Sequence, residues 1–159
     1  MDTDEPPTEQ SPADVALAGK SSIKPTRMKH DRLNASFQLW KDFRFEAAHQ
    51  LTKVGEEHPC GRLHGHSYKV RIHCRGKLDP EKEWVVDYAD IAAATLPLIE
   101  KLDHTLLNDH LDFETTAENL AWWLGETIKP ALPSLHAVEV FETPSTSAMI
   151  VVGGCEETE

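Results

Sequence analysis

His49, His64 and His66, with Cys60 between them in the chain, constrain this sequence more than any other feature. A strand that begins at His64 alternates its side chains between two faces, so His64 and His66 point the same way. Gly65 leaves room between them. His49 closes the run Phe43-Arg44-Phe45-Glu46-Ala47-Ala48-His49 and would complete a three-imidazole set from the end of a preceding strand. Three neutral imidazoles suit zinc, and three protein ligands leave a position open for water or substrate, which is the catalytic pattern. A His-x-His pair alone is more often two satisfied surface histidines; the third histidine and Cys60 shift that balance. Cys60 has three readings: the fourth ligand of a closed structural site, a small buried residue, or a thiol activated beside a cation as base or nucleophile.

The surrounding chain reads as a small α+β domain. From Phe37 to Phe45 the odd positions Phe37, Leu39, Phe43 and Phe45 are apolar, which predicts a half-buried strand, with Lys41 and Trp40 breaking the alternation. Glycine, proline and charge from Val54 to Gly61 predict a loop. Tyr68, Val70, Ile72 and Cys74 alternate with Lys69, Arg71, His73 and Arg75, a second amphipathic strand whose apolar face includes His64 and His66. Asp87 is placed to cap a helix carrying Tyr88, Ile91, Leu98 and Leu102, with a kink or break expected at Pro97. A second helix begins near Thr115 or Thr116, buries Ala117, Leu120, Ala121, Leu124 and Ile128, and stops before Pro130. Thr115-x-x-Glu118 matches a capping box. Val138–Glu142 and Ala148–Val152 read as two final strands. The order β-β-α-α-β-β predicts a four-stranded antiparallel sheet with both helices on one face.

Composition narrows the function classes. The chain has 159 residues, enough for one domain with a core, and 40% of them are hydrophobic. Residues 1–35 are rich in Pro, Ser, Thr and charge and are expected to be a disordered tail, with Met28 a candidate native start; residues 36–153 form the domain and 154–159 an acidic C-terminal tail. The acidic opening lacks the apolar core of a secretory signal, and no apolar run approaches a membrane span. Three scattered cysteines argue against a disulfide framework and for a cytoplasmic setting. A formal charge of -11 disfavours nucleic-acid or membrane partners.

The run Phe-x-Phe-x-Ala-Ala-His, then Cys60-Gly61-Arg62-Leu63-His64-Gly65-His66-Ser67-Tyr68, Val86-Asp87-Tyr88, Leu102-Asp103-His104 through Asn108-Asp109, Thr116-x-Glu118 and Glu142-Thr143 resembles the 6-pyruvoyltetrahydropterin synthase family from Phe37 to Val152. The three residues between Cys60 and His64 resemble its queuosine-pathway branch; the pyruvoyl-forming branch typically carries a longer, asparagine-rich insert. The resemblance implies the tunnelling fold (T-fold), in which subunits of a homo-oligomer join sheets into a barrel with active sites at subunit contacts. It implies zinc on His49, His64 and His66, and Cys60 as the base that takes a proton from the substrate side chain. Asp103 would orient His104 as proton carrier, while Glu142, assisted by Glu118 and Thr116, would grip the pterin's N–H donors. The implied reaction converts 7,8-dihydroneopterin triphosphate to 6-carboxy-5,6,7,8-tetrahydropterin with loss of acetaldehyde and triphosphate, and Arg62 and Lys53 are candidates for the triphosphate.

Three bland alternatives stand beside these roles: Asp103 and His104 as a surface pair, Glu142 as a rim acid, and Glu118 as a cap residue. Two rival functions stand beside the reaction. One is pyruvoyl-forming chemistry on the same substrate and metal, and the other is an idle zinc-binding assembly protein that keeps the fold.

Overall fold

A computed structural model of the chain describes residues 32–153. The tail expected over 1–35 lies outside the described residues as far as position 31, and that over 154–159 lies outside them altogether. A single 3-10 turn, Arg32–Asn34, precedes the first strand.

Strand β1 spans Phe37–His49 and β2 spans His64–Gly76, paired antiparallel with Phe43 opposite Val70, Phe45 opposite Tyr68 and His49 opposite His64. The predicted alternation is present in both. Phe43, Phe45, Ala47 and His49 are buried from β1, and Tyr68, Val70, Ile72 and Cys74 from β2. Phe45 and Tyr68 stack with ring centroids 4.7 Å apart, a pair worth about 0.5–1.5 kcal/mol beyond the area it buries. The two residues that break the pattern have partners of their own. Lys41 Nζ donates to the Tyr88 carbonyl at 3.1 Å, and the exposed Trp40 ring lies 5.4 Å from the Arg71 guanidinium.

Helix α1 spans Tyr88–Leu102 and is capped by Asp87, whose carboxylate accepts from the Ala89 N–H at 2.8 Å. Of the kink or break expected at Pro97, the break does not occur: the helix is continuous through it. Pro97 and Ala93, the residue whose carbonyl loses its partner, are both exposed, so water can satisfy that carbonyl. After α1 the chain turns at His104, with φ at +57°, and forms a strand absent from the sequence reading: β3, Thr105–Leu106, parallel to Ala47 and Ala48 of β1. Two residues are too few to show a period-2 pattern. The sheet is therefore mixed and five-stranded rather than antiparallel and four-stranded.

Helix α2 spans Ala117–Ile128, and its N-cap is Thr116, whose hydroxyl accepts from the Asn119 N–H at 3.4 Å. The Thr115–Glu118 capping box is not formed, because Thr115 is turned inward toward His49. Leu120, Ala121, Leu124 and Ile128 are buried as expected, while Ala117, at the first turn, is only half-buried. Gly125 lets the helix approach the sheet closely: a Cβ there would sit 2.9 Å from Cγ2 of Val152. Strands β4, Leu135–Thr143, and β5, Thr146–Val151, complete the order β3-β1-β2-β4-β5. Ile91, Ile99 and Leu102 of α1 and the apolar stripe of α2 join the inward residues of β1, β2 and β4 in one core cluster. Both helices thus cover one face. Among the described residues no helix is long and apolar enough to cross a membrane.

Candidate functional site

The register of β1 and β2 puts the three histidines together. His49 is the last residue of β1 and pairs with His64, the first of β2, while His66 lies opposite Ala47. All three project to the helix-covered face, and one nitrogen from each falls within 4.8 Å of the others. Gly65 is needed for a reason other than space between imidazoles: a Cβ there would meet the Ala47 carbonyl oxygen at 3.0 Å.

The ring orientations are set from outside the cluster. Nδ1 of His49 lies 2.9 Å from the Thr115 carbonyl and 3.2 Å from its hydroxyl, and Nδ1 of His64 lies 2.8 Å from the Arg62 carbonyl. A carbonyl can only accept, so both Nδ1 atoms carry the proton and both Nε2 atoms present lone pairs. Those two Nε2 atoms face each other at 3.0 Å. Two acceptors at that distance, with no proton to share, are the arrangement that a cation between them would satisfy. Burial pushes the His49 imidazolium down, against the Thr115 hydrogen bond. Burial likewise lowers His66, against the nearby Glu142 carboxylate. Both rings are thereby favoured in the neutral form that a metal requires. The residues present fit a single divalent ion.

Beside the histidines lies a cavity of ≈ 280 Å³. Cys60, Thr116, Glu118 and Glu142 line it together with the three imidazoles. Glu142 follows Phe141, which pairs with Lys69, so the register places it beside Tyr68 on the inner face. Tyr68 does not line the cavity but packs against its imidazoles, its ring edge-on to His49 and His66, with its hydroxyl buried and without a partner. Burial, reinforced by Glu142, pushes that phenol well above its ordinary value. The set combines neutral imidazoles for a cation, a cysteine whose thiolate form can accept a proton and carboxylates able to accept from N–H donors.

The loop that carries Cys60 is tied down at several points. His58 Nδ1 accepts from the Cys60 N–H at 3.1 Å, the Leu51 N–H donates to the Cys60 carbonyl at 2.9 Å, and Gln50 Nε2 donates to the Gly61 carbonyl at 2.8 Å. Asn108 clamps the Gln50 backbone in turn, accepting from its N–H and donating to its carbonyl, both at 2.9 Å. Sequence reasoning assigned no role to His58 or Asn108 and gave Thr115 only a capping role. Asn108 stood within a quoted motif; His58 carried no signal, and the contact of Thr115 with His49 is one that only the fold creates.

The remaining residues sit elsewhere. Asp103 Oδ1 accepts from the Glu46 N–H at 2.8 Å and lies 2.9 Å from His104 Nδ1. The Glu46 N–H first, and His104 second, hold the Asp103 carboxyl below its usual range. The His104 side chain is 77% exposed and borders a depression shared with Glu46 and Ser67 of the outer face of the β1–β2 ribbon, which reaches His66 at the edge of the three-histidine cavity. Within one subunit the pair does not enter that cavity. Arg62 and Lys53 do not line it either. Both are exposed on the loop, where Arg62 meets His64 through its backbone and Lys53 lies beside Glu114.

Comparison with known proteins matches residues 38–151 to the family model described as 6-pyruvoyl tetrahydropterin synthase. The chain is 39% identical over 117 residues to a 6-carboxy-5,6,7,8-tetrahydropterin synthase from Synechocystis, covering 69% of this chain and 89% of that protein. It is 32% identical over 129 residues to the Bacillus subtilis protein of the same name, covering 70% and 82% respectively. Among solved structures, the 6-pyruvoyl tetrahydropterin synthase of Caenorhabditis elegans superposes with a TM-score of 0.67 at 25% identity, covering 74% of this chain and 96% of that one.

Proposed function

The chain belongs to the 6-pyruvoyl tetrahydropterin synthase family, and from that premise we propose that it converts 7,8-dihydroneopterin triphosphate to 6-carboxy-5,6,7,8-tetrahydropterin, releasing acetaldehyde and triphosphate. This would place it in cytoplasmic queuosine biosynthesis. The observation that carries the reading is one cavity gathering His49, His64, His66, Cys60 and Glu142 in a chain whose Cys60–His64 spacing is the short one.

The roles proposed for these residues are supported by that cavity. His49, His64 and His66 hold zinc, which when bound supplies Lewis-acid polarisation of the substrate's side-chain hydroxyls. Glu142 accepts hydrogen bonds from the pterin's 2-amino group and ring N–H, with Thr116 and Glu118 on the adjoining wall. Glu118 is free for this because Thr116 caps the helix. Cys60 takes the proton from the substrate side chain, and His104, oriented by Asp103, carries it onward. Since His104 does not line its own subunit's cavity, it serves the cavity of a neighbouring subunit, in a homo-oligomer whose sites form at subunit contacts.

Incubating the purified, zinc-loaded protein with 7,8-dihydroneopterin triphosphate tests the reading. Acetaldehyde together with 6-carboxytetrahydropterin supports it. A 6-pyruvoyl product without acetaldehyde transfers the chain to the pyruvoyl-forming reaction, and no turnover makes it an idle fold.

A further inference from the structure

On the solvent-facing row of the β1–β2 ribbon, two complementary pairs flank a pair that is not complementary. Asp42 lies opposite Arg71, and the two form a paired contact at 2.7 and 3.0 Å. Glu46 lies opposite Ser67 and accepts its hydroxyl at 2.8 Å. Between these two matched pairs, Arg44 lies directly opposite Lys69. Like charges facing each other across strands are destabilising. Neither cation makes an ion pair or hydrogen bond among the described residues, although the chain as a whole carries a formal charge of -11. The Lys69 ammonium lies 3.5 Å from the centroid of the Phe141 ring, which fixes its direction without neutralising it.

The pair opens on a cleft of ≈ 480 Å³, bordered also by Ser67 and Thr143. His66 and Glu142 border this cleft and the three-histidine cavity alike, so the two adjoin. Of the carboxylates nearby, Asp42 is hydrogen-bonded by Arg71 and feels Arg44 and Lys69 only at longer range, Glu46 is engaged by Ser67, and Glu142 borders the cleft where it adjoins the cavity. Two cations with no ion-paired carboxylate, beside hydroxyl groups, are suited to a multiply charged oxyanion.

We propose that Arg44 and Lys69 form an oligophosphate subsite, occupied by the triphosphate tail of the substrate whose pterin lies beside Glu142. The proposal rests on the function argued above for what fills the subsite, and on the unmatched cationic pair for where it is. It moves the triphosphate from Arg62 and Lys53, which lie outside both clefts.

Calorimetric titration of the metal-loaded protein with inorganic tripolyphosphate, with metal content checked afterwards, tests it. The Arg44→Gln/Lys69→Gln double variant should bind tripolyphosphate at least about tenfold more weakly, whereas Arg62→Gln/Lys53→Gln should bind it as wild type does. The KM for 7,8-dihydroneopterin triphosphate should rise by a similar factor in the first variant, with kcat little changed. Unchanged tripolyphosphate binding in that variant overturns the proposal. So does loss of binding in the second variant, or a changed subunit assembly at unchanged affinity, which would make the pair a contact between copies. If no variant, wild type included, turns the substrate over, the proposed reaction fails while the binding comparison still decides the subsite.

Discussion

The carbonyl oxygen of Thr115 lies 2.9 Å from Nδ1 of His49, a contact that joins residues 66 positions apart and turns Nε2 toward the cavity. His49→Ala removes a ligand and should abolish stoichiometric metal binding. Thr115→Val keeps the carbonyl and removes only the hydroxyl, so it should weaken metal affinity by no more than about tenfold. Competition against a chromophoric chelator measures both. Equal losses would make the hydroxyl the partner that matters.

His104, held by Asp103, borders the depression beside Glu46 and Ser67 and not the cavity that Cys60 lines. If each cavity takes Cys60 from one subunit and His104 from another, Cys60→Ala and His104→Ala should each be inactive alone. Co-assembled, they should recover up to about a quarter of wild-type activity, the fraction of sites that random mixing leaves intact. No recovery in verified mixed oligomers would place both residues in one subunit's chemistry.

Tyr68 buries a hydroxyl that has no partner. Such a group costs about 1–3 kcal/mol relative to one that is satisfied, so Tyr68→Phe should melt at the same temperature as wild type or higher in the metal-free protein. A clear drop in Tm would mean that the hydroxyl is hydrogen-bonded after all.

Asp42 supplies a pH dependence. The hydrogen bond from Arg71 holds its carboxyl below the usual range, against a smaller opposing effect of burial. Its folded-state value is depressed, so the stability it contributes is present above the unfolded value and is lost as pH falls through the folded one. Asp42→Asn should be less stable than wild type near neutrality by up to about 1 kcal/mol. The gap should close as pH falls below 3.8. A gap that persists into acid would locate the effect in packing instead.

The long alternating strands and the α2 stripe were legible in sequence because burial on one face writes a period into the chain, and the three-histidine cavity followed from the parity of those strands. β3 was not legible, since two residues carry no period. The unbroken α1 was hidden because Pro97 is tolerated only where its orphaned carbonyl reaches water, which sequence does not report. The capping residue was misplaced by one, because Thr115 and Thr116 are equivalent in sequence and only the approach of His49 separates them. Arg44 and Lys69 read as ordinary polar positions of two strands; their conflict exists only in the register.

X-ray absorption spectroscopy on the metal-loaded protein, with metal counted per chain, tests the account most directly. One zinc per subunit is predicted, with three nitrogen ligands from the protein at about 2.0–2.1 Å and no sulfur in the shell, which leaves Cys60 free as a base. A sulfur ligand at about 2.3 Å, or no bound metal after loading, would contradict it.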